Sequence, residues 1–249
     1  MEESGTAKSP RIVVAIPMHG PNAKVGRDIE RSARMQFEKR NTAGALNSVK
    51  LVVVDESSGG SAAVDPESIA GMTQDQIDSG AVVGWVGGVD SDALAVELPR
   101  LNEAGIAAVS PSSTATPFNR RDPAFPGSPI KYYPAFARYG LSFARTAPTD
   151  LTVAGRCLDS LRGSGIRRVF TVDAGDTDGD SFSSALEGQA PRAGVTIVGH
   201  ESVPSGHADW EGITQQIAAS GAQSVVWGSA PNTGEHDLWL SLIHISEPT

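Results

Sequence analysis

The sequence predicts an α/β protein of two lobes, each a parallel sheet with helices on both faces. Three observations lead there. Short apolar, β-branched runs alternate with stretches of helical periodicity along nearly the whole chain. The runs are apolar throughout instead of alternating with polar residues, which marks strands covered on both faces. A proline-rich interruption follows the fourth run, and the alternation then restarts. Eight strands could also close into a single barrel, but the interruption halfway favours two lobes.

The first run is RIVVAIP (11–17), followed by a helix with Val25, Ile29, Ala33 and Phe37 at i, i+4 spacing. KLVVVDES (50–57) is the second strand, and a helical stretch follows around Ile69 to Ile77. AVVGWVGG (81–88) is the third. Its helix carries Leu94, Leu98 and Leu101 and ends at Gly105, a residue suited to the left-handed turn after a helix. IAAVSPSS (106–113) is the fourth strand. Thr116 to Tyr139 holds Pro117, Pro123, Pro126, Pro129 and Pro134, and reads as a loop or extended excursion.

The second half begins with LSFARTAP (141–148) as a strand. A helix with the stripe Val153, Cys157 and Leu161 follows, with Asp150 and Thr152 as its expected caps. IRRVFTVDA (166–174), a helix from Phe182 to Ala190, VTIVGHESV (195–203), a helix carrying Trp210, Ile213 and Ile217, and QSVVWGSA (223–230) complete the series. The expected organisation is a polar tail at 1–10, a first lobe at 11–140 and a second, incomplete lobe at 141–239.

Composition narrows the function. Of the 249 residues, 39% are hydrophobic and 20% charged, a globular balance. A formal net charge of −9 makes nucleic acid and anionic membrane poor partners. No apolar run approaches the roughly 18 to 20 residues of a membrane helix. The single cysteine, Cys157, rules out an intrachain disulfide. MEESGTAKSP has neither the basic start nor the apolar stretch of a signal peptide, so the protein is cytosolic or its N-terminus lies upstream.

In open parallel sheets ligands sit beyond the carboxyl ends of the strands. Those positions hold Met18 to Pro21, Asp55 to Ser58, Gly88 to Ser91 and Pro111 to Thr114, then Asp173 to Asp180, Glu201 to Gly206 and Gly228 to Ala230. Ser91 and the trio Ser112, Ser113 and Thr114 are hydroxyls at loop-to-helix transitions. Such hydroxyls suit a carboxylate beside free helix N–H groups, or they cap helices and turns with no ligand. Enzyme motifs are missing: no Gly-x-Ser-x-Gly elbow, no phosphate loop and no Gly-x-Gly-x-x-Gly after the first strand. His19, His200, His207, His236 and His244 show no metal-ligand spacing. DAGDTDGD (173–180) fails the calcium-loop pattern, since placing Gly179 at its glycine position puts Ala174 and Ala185 where acids belong. Neither a metal nor a cofactor is expected.

RIVVAIPMHGP, KLVVVDESS and VVGWVGGVDSDALAVELPRLNEAGIAAVSPSSTATP together resemble the first lobe of type I periplasmic binding proteins. The branch they are most similar to is the branched-chain amino acid (Leu/Ile/Val-type) substrate-binding components of ABC transporters. LPRLNEAGIAAVSPSSTA is the most specific piece, KYYP…FARTAPTD (131–150) resembles the crossing into the second lobe, and the resemblance covers residues 11 to 239. It implies a non-catalytic protein whose lobes close by hinge bending on an amino acid or related small polar ligand in the cleft between them. The partner would be an ABC permease, and the location periplasmic or extracellular, membrane-anchored through a segment absent from this sequence. Carried over by position, Ser91, Ser112, Ser113 and Thr114 grip the ligand's α-carboxylate. Asp178 stands where Leu/Ile/Val binders place a tyrosine; it holds the ligand's ammonium or faces water. Trp227 falls near another family contact or is a core strand residue. A sensory or regulatory domain of the same fold is the alternative.

The resemblance also implies that the chain continues beyond Trp239. LSLIHISEPT (240–249) is what CTG TCT CTT ATA CAC ATC TCC GAG CCC ACG encodes, which resembles a transposase mosaic-end sequencing adapter. The stretch is therefore expected to be translated adapter. Sequencing the intact gene should give a different continuation after Trp239; recovering LSLIHISEPT from genomic DNA would refute this.

Overall fold

The computed structural model describes residues 9–42, 44, 46, 48–57, 64–204, 209–229 and 235–246. The chain forms two compact units, Met1–Ser113 with Ile130–Ala147, and Thr114–Pro129 with Pro148–Thr249.

The first unit runs β1 (Arg11–Ile16), α1 (Ala23–Asn41), β2 (Lys50–Asp55), α2 (Pro66–Asp78), β3 (Val82–Val86), α3 (Ser91–Glu103) and β4 (Ala108–Ser110). After the excursion come a 3₁₀ turn at Ile130–Tyr132, α4 (Phe136–Tyr139) and β5 (Phe143–Arg145). The five strands pair in parallel in the order β2-β1-β3-β4-β5. β1 is central, and Val13, Val14, Ala15 and Ile16 are at most 1% exposed, as a strand covered on both faces requires.

Right-handed crossovers put α1 on one face of this sheet and α2 and α3 on the other. Leu94, Leu98 and Leu101 of α3 are fully buried, as their spacing predicts. The other face is only partly covered. Ile29, Ala33 and Phe37 of α1 are half-buried, while Val25 on α1, Val83 on β3 and Val109 on β4 are exposed. This departs from the expected cover on both faces. The reason is positional: α1 connects β1 to β2 and so lies over that side of the sheet. α1 approaches the chain closely at Gly26, where a Cβ would overlap the Pro17 carbonyl oxygen.

The second unit holds a 3₁₀ turn at Thr116–Phe118, α5 (Asp150–Gly163), β6 (Arg168–Asp173), α6 (Thr177–Ala193), β7 (Thr196–Ser202), α7 (Trp210–Ser220), β8 (Ser224–Trp227) and α8 (Glu235–Ser246). Its parallel sheet has the order β7-β6-β8. Here both faces are covered. Ala154, Leu158, Leu161, Phe182 and Leu186 from α5 and α6 pack with Val169 on one side. Ile213, Ile217 and Leu238 from α7 and α8 pack with Phe170 and Val172 on the other. The pairing of β6 with β7 slips between Val169 and Phe170, and Gly199 sits there because a Cβ would collide with the Phe170 ring.

Three sequence expectations are displaced. The division after residue 140 fails: β5 pairs with β4, Phe143 opposite Ala108, because the open edge of β4 has N–H and C=O groups to satisfy. Residues 114–129 conversely join the second unit, where the Thr116 N–H donates to Ser181 Oγ at 2.8 Å. The cap of α5 is Thr149, whose extended backbone (φ −76°, ψ 154°) lets its hydroxyl accept the Thr152 N–H. In α8, Leu238 is fully buried and Leu242 packs beside it, while Trp239, Leu240 and Ile243 are exposed. The helix continues through Leu240–Ser246, the stretch expected to be adapter-derived.

Leu186→Ala should cost about 2–5 kcal/mol in urea unfolding, because a 0%-exposed leucine leaves a cavity. Val83→Thr, at a position 57% exposed, should change stability by no more than about 0.5 kcal/mol.

Candidate ligand-binding site

Each sheet reverses direction beside its central strand, between β1 and β3 in the first unit and between β6 and β8 in the second. Such switch points leave a crevice at the carboxyl ends of the strands. The candidate residues cluster at these ends.

In the first unit the loops after β3 and β4 are tied together by serine hydroxyls. Ser91 is the first residue of α3 and 0% exposed; its Oγ lies 2.7 Å from Ser113 Oγ, itself 1% exposed. Ser112 Oγ donates to the Val89 carbonyl at 2.6 Å. Ser110, unassigned in the sequence, is the centre of the arrangement. Its Oγ donates to the Gly88 carbonyl at 2.7 Å and accepts the N–H groups of Ser113 at 2.9 Å and Ser112 at 3.3 Å. Arg145 Nη1 on β5 donates to the Ser113 carbonyl at 3.0 Å, bringing a cation beside the loop. The cap of α3 is Asp90, whose carboxylate accepts the Asp92 N–H at 2.8 Å, so Ser91 does not serve as the cap.

At the ends of β1 and β2, His19 Nδ1 lies 2.9 Å from Asp55 Oδ2, with the His19 side chain 72% exposed. Ser57 Oγ accepts the Met18 and His19 N–H groups at 2.8 Å each. Partial burial would raise the Asp55 carboxyl, but hydrogen bonds from Ser57, Met18 and His19 outweigh it and hold it below its ordinary range.

In the second unit Thr114 Oγ1 donates to Asp178 Oδ1 at 3.0 Å, joining two residues singled out from the sequence. Asp178 lies in the first turn of α6, capped by Asp176, which accepts the Gly179 N–H at 2.7 Å. Ser229 Oγ donates to Asp176 at 3.0 Å and accepts the Ala174 N–H at 2.8 Å, closing the β8 end onto the β6 end. Trp227 is half-buried and packs against the cluster of Phe170 and Val172. The structure thus groups Ser91, Ser112 and Ser113 in one unit, Thr114 and Asp178 in the other, and gives Trp227 a packing role.

Asp173, the last residue of β6, is 0% exposed. It accepts hydrogen bonds from Ser183 Oγ at 2.6 Å and the Gly175 N–H at 3.0 Å, and lies 2.7 Å from His200 Nε2. Burial alone would raise its carboxyl; hydrogen bonds from His200, Ser183, Ser202 and Gly175 outweigh it and hold it low. The same hydrogen bond raises His200, against partial burial, with the charges of Asp173, Glu187 and Asp180 adding to it. Among the described residues no three His, Cys, Asp or Glu side chains could hold a metal ion. His207 and Gly206 lie outside the described residues.

A parallel-sheet unit with hydroxyl-lined strand ends, repeated once, is the architecture of a small-molecule binding fold, and comparisons agree. Residues 9–235 match the periplasmic binding protein family model, and the chain belongs to that family. An amino acid binding protein of Pseudomonas aeruginosa is 27% identical over 223 residues, covering 87% of this chain and 53% of that protein. The leucine-, isoleucine-, valine-, threonine- and alanine-binding protein of the same organism is 23% identical over 228 residues, covering 90% and 55%. The chain spans about half the length of these relatives. Among solved structures, a periplasmic binding protein of Burkholderia mallei has a TM-score of 0.76 at 15% identity, covering 96% of this chain and 58% of that one. An ABC transporter solute binding protein of R. palustris, in complex with 4-hydroxybenzoate, has a TM-score of 0.74 at 17% identity, with 95% and 58% covered. An ABC transporter substrate-binding protein of Desulfitobacterium hafniense, in complex with Leu, has 0.71 at 17%, with 96% and 64% covered. These structures establish the type I periplasmic-binding-protein fold.

His200 has a folded-state pKa above its unfolded value, so the stability it contributes is complete below the unfolded value and lost as pH rises through the folded one. Asp173, lowered, contributes above its unfolded value and loses this as pH falls through its folded one. Resistance to urea should therefore decline as pH rises past neutrality, and His200→Gln should remove that part of the decline. A wild-type profile matching that of His200→Gln would contradict the pairing.

Proposed function

We propose that the whole protein is the extracytoplasmic substrate-binding component of an ABC importer, delivering a small carboxylate ligand, most simply an α-amino acid, to its permease. Binding involves no chemistry on the ligand. Family membership supports this, as do the amino acid names of the two curated relatives. The observation that carries the site is the cluster of hydroxyls at the ends of β3 and β4, ordered by Ser110 and flanked by Arg145. Hydroxyl donors and a nearby guanidinium are the groups that hold a carboxylate in place of water.

Ser91, Ser112 and Ser113 form the carboxylate subsite, in which a ligand oxygen replaces the Ser91–Ser113 contact. Thr114 and Asp178 form an ammonium subsite: the Thr114 hydroxyl orients the Asp178 carboxylate, and a carboxylate in place of an aromatic side chain favours a cationic group. No helix among the described residues is long and apolar enough to cross a membrane.

Titration calorimetry of the full-length protein against the amino acids should give saturable binding without turnover. Ser91→Ala and Thr114→Val should each weaken binding by about 1–3 kcal/mol, the cost of leaving a buried partner unsatisfied. Unchanged affinity in both variants would remove these residues from the site.

A further inference from the structure

Beneath the hydroxyl loops of the first unit lie two buried acids. Glu56, immediately after β2, is 5% exposed, and Glu97, in the middle of α3, is 0% exposed. Glu97 Oε2 accepts the Trp85 indole N–H at 3.2 Å, and Glu56 Oε2 accepts the Val89 N–H at 3.5 Å. The Gly88 N–H also bonds the Glu56 carboxyl. The remaining oxygens, Oε1 of each, are buried with no hydrogen-bond partner. Gly88 and Val89 are the residues whose carbonyls receive the Ser110 and Ser112 hydroxyls. Glu56 thus holds, through their N–H groups, the same two residues that the serines hold through their carbonyls, and the Gly88–Val89 peptide is bonded on both sides.

We propose that Glu56 is a positioning residue for the carboxylate subsite, fixing the Gly88–Val89 backbone through its N–H groups, with Glu97 as the second acid buried in the same unit. The proposal rests on the assignment of Ser91, Ser112 and Ser113 to a ligand carboxylate. Two unpaired carboxylates cannot both ionise in such surroundings. Burial, then the Glu97 charge, then Asp90 at the start of α3 push the Glu56 carboxyl well above its ordinary value, against the Val89 and Gly88 N–H groups. Burial pushes Glu97 up to about 8, against the Trp85 indole. Glu97 therefore gains its negative charge in mild alkali, and Glu56, raised by burial and by that charge, holds its proton more firmly than an exposed glutamate. That charge appears under a loop assigned to an anion, so the subsite should loosen as pH rises.

Nitrogen–proton correlation spectra of this chain between about pH 6 and 10 test the pair without any ligand. The Trp85 indole signal should titrate with a midpoint near about 8, and the Gly88 and Val89 amides should move with it. Glu97→Gln should abolish the indole titration and move that of the amides to lower pH. Glu56→Gln should abolish the amide titration and leave the indole titrating. A wild-type indole that does not titrate, or Gly88 and Val89 amides silent while it does, overturns the proposal without need of a folded variant. Calorimetry of the full-length protein with L-leucine as probe should show affinity falling about five- to tenfold between about pH 7 and 9. Glu56→Gln should flatten that profile. A flat wild-type profile beside moving amides would overturn the link to the subsite. If the wild type binds no amino acid at any pH, the transport reading fails, and the amide titration still decides whether the pair holds the loop.

Discussion

β1 and β6 are each enclosed by a parallel neighbour on either edge, and this double enclosure organises everything else in the chain. A strand so placed pairs its backbone along both edges and presents both side-chain faces to packed helices or loops, which explains the unbroken apolar run VVAI and the run VFTV, interrupted only by the buried Thr171. Because the chain leaves the central strand first to one side and later to the other, the connecting loops part at its carboxyl end. The side chains with chemistry are found there, on the last residues of strands and in the loops and helix starts that follow them.

The two units handle buried acidity in opposite ways. Asp173 is completely enclosed, yet His200, two serines and a backbone N–H supply enough donors to keep it ionised. Glu56 and Glu97 are equally enclosed but have one indole and two peptide N–H groups between them, and burial wins. The deciding quantity is donors per carboxylate, since a charge removed from water is tolerated only when its lone pairs are matched. A surplus of hydroxyls distinguishes the first unit's loops. Ser110, Ser112 and Ser113 bond chiefly to backbone and to one another, which sets the spacing of the β3 and β4 ends before any ligand arrives.

The strands, the helices and their alternation were legible in the sequence because each rests on local periodicity and apolar runs. The division between units was not. β5 is three residues long and looks from sequence like the opening of the second half, whereas its allegiance is decided by the free edge of β4. The cap of α5 falls one residue before the expected Asp150 and three before Thr152, because threonine and aspartate both cap well and only the extended backbone at Thr149 selects between them. At the site, Ser91, Ser112, Ser113, Thr114 and Asp178 stood out through their place after strands. Ser110 did not, because as the last residue of β4 it reads as part of the strand. Glu97 was hidden within an apolar helix stripe, where a lone glutamate suggests a solvent-facing position. Its partner Trp85 is twelve residues away on β3, and nothing in the sequence pairs them.

The chain passes between its units three times, after Ser113, after Pro129 and after Ala147. A ribosome therefore delivers this protein out of register with its architecture. When residue 113 has emerged, four strands of the first sheet are present, but the edge of β4 stays open until β5 follows the excursion. Residues 114–129 wait longer: Thr116 and Asp122 find Ser181 and Ser184 only after α6 has been made. Neither unit corresponds to one continuous stretch of gene, so neither can be excised, swapped or duplicated by a single recombination event. A lineage carrying this fold can alter its loops freely, but it inherits both units as one piece.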